Sequence, residues 1–560
     1  MSGWPTMSIA DAHALMCAPG ERFELETVEI RGVPTTTWKN GPKLITDLMA
    51  TSDAYAEAEF LVYGEQRVTF SGYRRAVSAV TWKLVEWGIR PGDRVAIAMS
   101  NRPEWCVVFM AAVSAGAIVV PLNGWWTGEE LGYGLSDSGS RLVFVDGARL
   151  ARIAGHAPQD LAIVSVDDDG SGHPLLADWI GPVADWGSLP EVEPPMVELD
   201  PDDPATIFYT SGTTGRPKGV VGSHRNATSI VLSSAVSGER LRRRGGVLPS
   251  PVGQRKVLLA VPLFHVTGCV SRFLPALAGG TVLAMMPRWD AAEAVALIRR
   301  EGITATGGVP TIALQLLERV EATGETLPSL QSLSFGGAAA PSAVVGRMAA
   351  ALPGAVPGSG FGMTETSSMI THHQGEEYVE APESTGPAVP VCDIRVISAD
   401  GAVLESGEVG ELSVRGPNVF LGYWNLEAET AEVLQNGWVR TGDLARIDAD
   451  GRCFIVDRIK DVVIRGGENI YCAEVENVLA GLAGVAEVAV FGVAHETLGE
   501  VPVAAIQVTD PDLDEGRVLE FARDRLSSFK VPVRAHISSN PLPHNAAGKV
   551  VKAELRQLHG

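Results

Sequence analysis

Residues 208–220, FYTSGTTGRPKGV, set three glycines, four Ser or Thr residues, one Arg and one Lys between apolar flanks. Glycines leave backbone N–H groups unobstructed, and such groups closed by cations suit a polyphosphate. The stretch is not a Walker loop. That motif follows its lysine with Ser or Thr, whereas Lys218 stands between Pro217 and Gly219. Composition alone also fits a flexible linker, so other residues must decide. Four further clusters hold side chains suited to nucleotide chemistry: GFGMTE at 360–365, WVRTGDLARID at 438–448, DRIKDVVIRGGEN at 457–469 and LPHNAAGK at 542–549. They offer a flat ring (Phe361), a carboxylate able to accept from hydroxyls (Asp443) and a cation in a short loop (Lys549).

The bulk of the chain narrows what those groups can meet. At 560 residues, 46% hydrophobic and 20% charged, it reads as a folded protein of two or more domains. A formal net charge of −22 argues against nucleic acid as a general partner, so an anionic ligand must find local positive charge. No apolar run reaches membrane-spanning length, and the start MSGWPTMSIADAHALM lacks the basic and apolar regions of a secretion signal. The terminal QLHG carries no targeting address, and the expectation is a cytoplasmic protein. Cys17, Cys106, Cys269, Cys392, Cys453 and Cys472 form no C-x-x-C pair and read as buried reduced thiols rather than a zinc site or disulfide framework.

The elements that must position the clusters follow from periodicity. RVAIAM from Arg94, AIVVPL from Ala117 and RLVFVD from Arg141 alternate with amphipathic stretches, which predicts parallel α/β structure. After residue 255 the rhythm returns in KVLLAVPL, TVLAMM, ITATGGV and LQSLSFGG, separated by helices such as AAEAVALIRR. Two α/β units in tandem are expected. Turns at Asp400-Gly401 and Asp450-Gly451 predict a small antiparallel, barrel-like β unit after Asp393, followed by a mobile α+β domain. The boundary is expected near Lys460, giving domains 1–458 and 459–560. SGERLRRRGGVLPSPVGQRK, with Arg240, Arg242, Arg243 and Arg244 between glycines, reads as a mobile, solvated surface loop.

In order and spacing, the five clusters resemble the adenylate-forming superfamily, from about Leu44 to the C-terminus, and within it the acyl-CoA synthetases. The resemblance implies two half-reactions: a carboxylate attacks the α-phosphate of ATP to give acyl-adenylate and pyrophosphate, and a thiol then displaces AMP. It assigns the phosphate loop to Ser211, Gly212, Thr213, Thr214, Gly215 and Lys218, and Mg²⁺ to the neighbourhood of Thr210 and Glu365. Gly337, Ala338, Gly360, Phe361, Gly362 and Thr364 fall among the nucleotide contacts, with Phe361 where relatives usually have Tyr. Asp443 matches a ribose ligand and Arg458 a second ribose contact. Lys549 matches the lysine brought to the carboxylate and α-phosphate, although Asn545 replaces the commoner Thr of that motif. Lys460 falls at the hinge, and Gly466 and Gly467 just beyond it match a passage for the slender pantetheine of coenzyme A; without the resemblance they read equally as a turn.

PLFHVTG at 262–268 resembles the acyl-CoA synthetase form of the acid-pocket border, with His265 at its edge and among the catalytic residues. Amino-acid-activating relatives usually supply an Asp in that neighbourhood, so a neutral-tailed acid is favoured. GGAAAP at 336–341 leaves room beside the carboxylate. The neighbouring Trp125 and Trp126 read as core or interface residues. The expected activity is ATP-dependent acyl-CoA ligation of a medium- or long-chain fatty acid. Steroid side-chain or aryl acids come second, and an acyl-AMP ligase loading a carrier protein is a further alternative. A homodimer is possible by family habit.

Overall fold

The computed structural model describes residues 4–167, 170–210, 216–249, 253–336, 343–544 and 550–559. Two large sheets face each other across a shared apolar core. The seven-stranded sheet runs Gly422–Tyr423, Lys218–Ser223, Pro204–Thr210, Ile118–Pro121, Arg94–Ala98, Leu142–Val145, Ala162–Ser165. The eight-stranded sheet runs Thr371–Gln374, Val356–Phe361, Ser332–Gly336, Ala305–Gly308, Lys256–Leu259, Val282–Met285, Glu59–Tyr63, Gln66–Thr69. Every strand expected from an apolar run in these two sheets is present. The central strands, Ile118–Pro121, Arg94–Ala98 and Leu142–Val145 in one sheet and Ser332–Gly336, Ala305–Gly308, Lys256–Leu259 and Val282–Met285 in the other, are parallel and their apolar runs nearly continuous, as strands covered on both faces require.

The two units are not in simple tandem, however. Val282–Met285 pairs in parallel with Glu59–Tyr63, and Gly422–Tyr423 returns to the edge of the first sheet beside Lys218–Ser223. Pairing between segments so far apart has no local signature. Between the sheets, helix Pro103–Ser114 is buried on all sides, with Pro103 at its first turn, where a missing N–H costs nothing. Its Trp105 and Phe109 stack at 5.3 Å, and both meet Phe273 edge to face.

A six-stranded antiparallel sheet follows, built on Asp393–Ile397, Gly410–Arg415, Trp438–Ile447 and Arg452–Arg458. Gly401 and Gly451 take positive φ at the two expected turns, +87° and +81°. The last sheet begins at Val463 and centres on the pair Val485–His495 and Gly499–Val508, backed by helices Cys472–Ala480 and Glu515–Arg523. Among the described residues no helix is long and apolar enough to cross a membrane. All six cysteines are reduced; five are buried, and Cys17 is half-buried.

The arginine-rich stretch is a correction. Its arginines are not in a loop, although the described residues between Arg244 and Lys256 form no helix or strand: Ser223 caps a twenty-residue helix, His224–Arg243, which ends where Gly245 turns left-handed. Arg240 and Arg244 are buried, and both bond the carboxylate of Glu377. The helix face they share receives the N-terminal segment. Arg244 donates to the Met7 carbonyl and lies over the Trp4 ring, and Arg240 donates to His13. Only Arg242 and Arg243, turned outward, behave as solvated charge.

Candidate active site

The glycine-rich loop is anchored by a single rung of sheet. Thr210 ends one strand and Lys218 begins the next, and the two are direct antiparallel partners. Ser211, Gly212, Thr213, Thr214 and Gly215 lie outside the described residues. At that rung the Lys218 ammonium sits 5.1 Å from the centroid of the Tyr423 ring, over its face. Tyr423 reaches this place because its strand pairs with Val220 and Val221. Its hydroxyl donates to Glu365 Oε1 at 2.9 Å. Glu365 belongs to a short 3₁₀ turn, Thr364–Thr366, whose carbonyl at Glu365 is held by the Phe420 N–H at 2.9 Å. Burial pushes the Glu365 carboxyl above its usual range; the Tyr423 hydroxyl and the Arg458 charge act the other way, and Asp443 adds to the rise. Thr210, Lys218 and Glu365 are thus linked through Tyr423, which the sequence reading did not single out. Its only signal was the LGYWN stretch at 421–425, unremarkable without the pairing to 218–223.

Gly360 and Phe361 end the strand Val356–Phe361, and Gly362 and Thr364 follow in the turn. Packing explains the glycines directly. A Cβ on Gly362 would stand 1.5 Å from the Ser368 carbonyl oxygen, and one on Gly360 would stand 2.8 Å from that of Thr371. They let the turn fold back against the next strand. That turn carries Ser367 and Ser368 at φ +52° and +97°, strain of the sort that collects at functional sites. Phe361 is half-buried against Val220, Ile370 and Phe420, leaving part of its ring open.

Asp443 and Arg458 face each other across an antiparallel ladder, Arg458 Nε to Asp443 Oδ1 at 3.1 Å. Asp443 is 3% exposed, so its carboxylate is fixed before any ligand arrives. Both charges act on the Glu365 carboxyl, Arg458 lowering and Asp443 raising it. Lys460 is exposed in the 3₁₀ turn Ile459–Asp461. Gly466 and Gly467 form the two-residue turn of a hairpin, with φ +59° and +90°, between the partners Arg465 and Glu468. Such a turn demands positive φ at both positions, so the glycine pair has a local cause whatever passes over it. His265 precedes the helical turn Val266–Gly268, its ring 4.8 Å from Phe264, and shares no described contact with the Glu365 group. Trp126 is core, packed on Tyr209, whereas the half-exposed Trp125 stands edge-on to Phe264 at 5.2 Å. Gly337, Ala338 and Lys549 lie outside the described residues.

Among the described residues no cluster of three or more His, Cys, Asp or Glu could hold a metal alone. The buried Glu365 carboxylate, near the rung that closes the glycine-rich loop, would suit Mg²⁺ instead, which takes one or two protein oxygens and completes its shell from phosphate and water.

A family model for AMP-binding enzymes matches residues 49–424, and the model for their C-terminal domain matches 474–549. The chain belongs to the adenylate-forming AMP-binding enzymes. This AMP-binding enzyme is 34% identical to the long-chain-fatty-acid–CoA ligase FadD13 of Mycobacterium tuberculosis over 88% of its own length and 93% of the relative's. It is 33% identical to a feruloyl-CoA synthase of Amycolatopsis, over 89% and 95% of the two chains. The o-succinylbenzoate CoA synthetase of Bacillus subtilis bound to its acyl-adenylate superposes with a TM-score of 0.76 at 30% identity, covering 91% of this chain and 97% of that one. ATP-bound MatB of Rhodopseudomonas palustris gives 0.79 at 29%, covering 92% and 99%. Among AMP-binding enzymes, this one is an AMP-forming acid–thiol ligase that uses ATP and coenzyme A.

Proposed function

We propose that the acid this ligase activates is a medium- or long-chain carboxylic acid without an ammonium group, and that the residues above divide the work as follows. Lys218 and the loop 211–215 hold the β- and γ-phosphates, with Thr210 and Glu365 binding Mg²⁺; bound there, the ion would neutralise the phosphate charge that opposes an approaching carboxylate. Asp443, oriented by Arg458, accepts from the ribose hydroxyls, and the open part of Phe361 lies against adenine. Lys549 brings a positive charge to the α-phosphate as the carboxylate oxygen bonds to phosphorus and pyrophosphate leaves. The unit 459–560 then turns about Lys460, withdrawing Lys549 so that the thiol of coenzyme A can attack the acyl carbon and expel AMP. His265 lies at the acid end.

The observation that carries this reading is the rung Thr210–Lys218 joined through Tyr423 to the buried Glu365. The two ends of the glycine-rich loop, a cation and a buried carboxylate come together there, which supports a phosphate site. A steroid side-chain or aryl acid is the second reading, since relatives named for feruloyl and for a dioxo-octahydroindenyl propanoyl group stand beside the fatty-acid ligase. AMP release should be measured with ATP, Mg²⁺ and a panel of acids, with and without coenzyme A. Release that needs coenzyme A and peaks on chains of about eight carbons or more supports the proposal; adenylate that accumulates unaffected by coenzyme A would assign the acceptor to a carrier protein.

A further inference from the structure

The centre of the eight-stranded sheet is unusual on one face. On the other, Leu333 and Phe335 pack into a dense core with Leu316, Leu317 and Tyr378. The face turned toward helix His224–Arg243 carries almost no side-chain bulk. One rung across four adjacent strands is Gly307, Ser334, Gly358 and Gln374, and a neighbouring rung is Gly336, Gly360 and His372. Ser334 is only half-buried although its strand is interior, and His372, on the edge strand, is half-buried too. Middle strands ordinarily present large apolar groups to the layer above them. Here the layer above contributes Ser237, bonded to His372 Nδ1 at 2.7 Å and to Gln374 Nε2 at 2.9 Å.

Two arginines belong to this region. Helix Val266–Gly268 continues from His265 as a π-helical segment, Cys269–Phe273, a deviation frequent at functional sites. Its Ser271 donates to Ser368 at 2.6 Å, in the turn just after Gly360–Gly362, so Arg272 stands by the ends of the trough strands. Arg255 precedes strand Lys256–Leu259 two residues before Val257, on the same face as the trough. Arg240 and Arg244 share Glu377, and Arg102 has Glu104 and Asp167. By contrast, neither Arg255 nor Arg272 has a side-chain hydrogen bond or ion pair to any described residue. Arg255 is exposed at the sheet end and Arg272 half-buried; a half-buried cation without an anion is the costlier of the two. Burial and the like charge of Arg255 press Arg272 down to about 10, and Arg272 in turn acts on His372.

We propose that Arg272, with Arg255 beside it, holds a second anionic group of the acid, a carboxylate remote from the one that is activated, whose connecting chain lies along the trough of Gly307, Ser334, Gly358 and Gly360. The proposal rests on the ligase reading above and narrows its substrate to acids charged at both ends. In a protein of net charge −22 such an acid needs a local cation to enter, and a guanidinium matches a carboxylate in two parallel bonds.

The test compares matched acids that differ only at the far end, octanoic with octanedioic and dodecanoic with dodecanedioic, by AMP release with ATP, Mg²⁺ and coenzyme A. The wild-type enzyme should favour at least one diacid over its methyl-ended match by tenfold or more in kcat/KM. In Arg272→Gln that ratio should fall at least tenfold, through KM of the diacid rather than kcat, and Arg272→Lys should keep part of it. Arg255→Gln should lower the ratio too, which reads the same site if Arg272→Gln does not fold. Methyl-ended acids preferred by the wild type, or a ratio indifferent to both arginines, overturns the proposal while leaving the ligase reading in place. If no acid of either series supports AMP release, the medium- or long-chain reading on which the proposal rests falls, and the proposal with it.

Discussion

The Tyr423 hydroxyl lies 2.9 Å from Glu365 Oε1 while the face of the same ring carries the Lys218 ammonium, so one side chain couples the cation and the carboxylate of the proposed phosphate site. Hydrogen bonds to charged groups contribute about 1.5–3 kcal/mol. Tyr423→Phe keeps the ring and removes the donor. It should reduce kcat/KM for ATP by roughly ten- to a hundredfold, with the Mg²⁺ concentration needed for half-maximal rate shifted upward. An unaltered Mg²⁺ dependence would separate Tyr423 from the metal-binding role proposed for Glu365.

Asp443 is fixed by Arg458 in a position that leaves its carboxylate nearly inaccessible to bulk water. Asp443→Ala should weaken ATP binding tenfold or more, read by calorimetry in the absence of acid. An ATP affinity equal to that of the wild type would remove the ribose assignment.

Lys549→Ala should abolish adenylate formation, followed as ATP–pyrophosphate exchange, while thiolation of supplied acyl-adenylate is largely retained. Equal loss in both half-reactions would speak against a domain that turns about Lys460.

Glu377 is surrounded by Arg240 and Arg244. Burial alone would raise its carboxyl, but the two guanidiniums more than offset that and hold it below the usual range. Removing one partner of a buried ion cluster costs about 3–5 kcal/mol. Glu377→Gln should therefore lower the urea midpoint markedly and expose the first twenty residues to limited proteolysis, because the same arginines hold Met7 and His13. A midpoint within error of the wild type would show that the cluster is dispensable.

Stability should fall on acidification well before the carboxylates titrate. Burial depresses His224 and His373 to about 4 each, against about 6.5 in an unfolded chain. Their folded values are lowered, so the stability they contribute is present above pH ~6.5 and is lost as pH falls toward 4. Each proton taken up only on unfolding steepens the loss by up to about 1.4 kcal/mol per pH unit. The urea midpoint should drop between pH 7.5 and pH 5, and His224→Gln should flatten that drop; a midpoint that rises on acidification contradicts the assignment.

The sequence by itself determined the local structure and the family. Val, Ile and Leu runs such as 94–98, 142–145 and 282–285 can be satisfied only as covered strands, and Asp-Gly pairs at 400–401 and 450–451 can hardly be anything but turns. The clusters holding Thr210, Lys218, Glu365 and Asp443 carry the resemblance to the family, and the resemblance in turn implies their place in a nucleotide site. Tertiary structure alone decided which distant groups meet. Tyr423 reaches Glu365 only because its strand adds to a sheet edge two hundred residues earlier in the chain, and pairing at that range leaves no periodic trace in either segment. The run 240–244 shows the opposite error. Four arginines between glycines look solvated one by one, and only Glu377, brought in by the short helix Glu376–Glu380, makes two of them interior. Whether a charged side chain is buried depends on its partner, and the partner lies elsewhere in the chain.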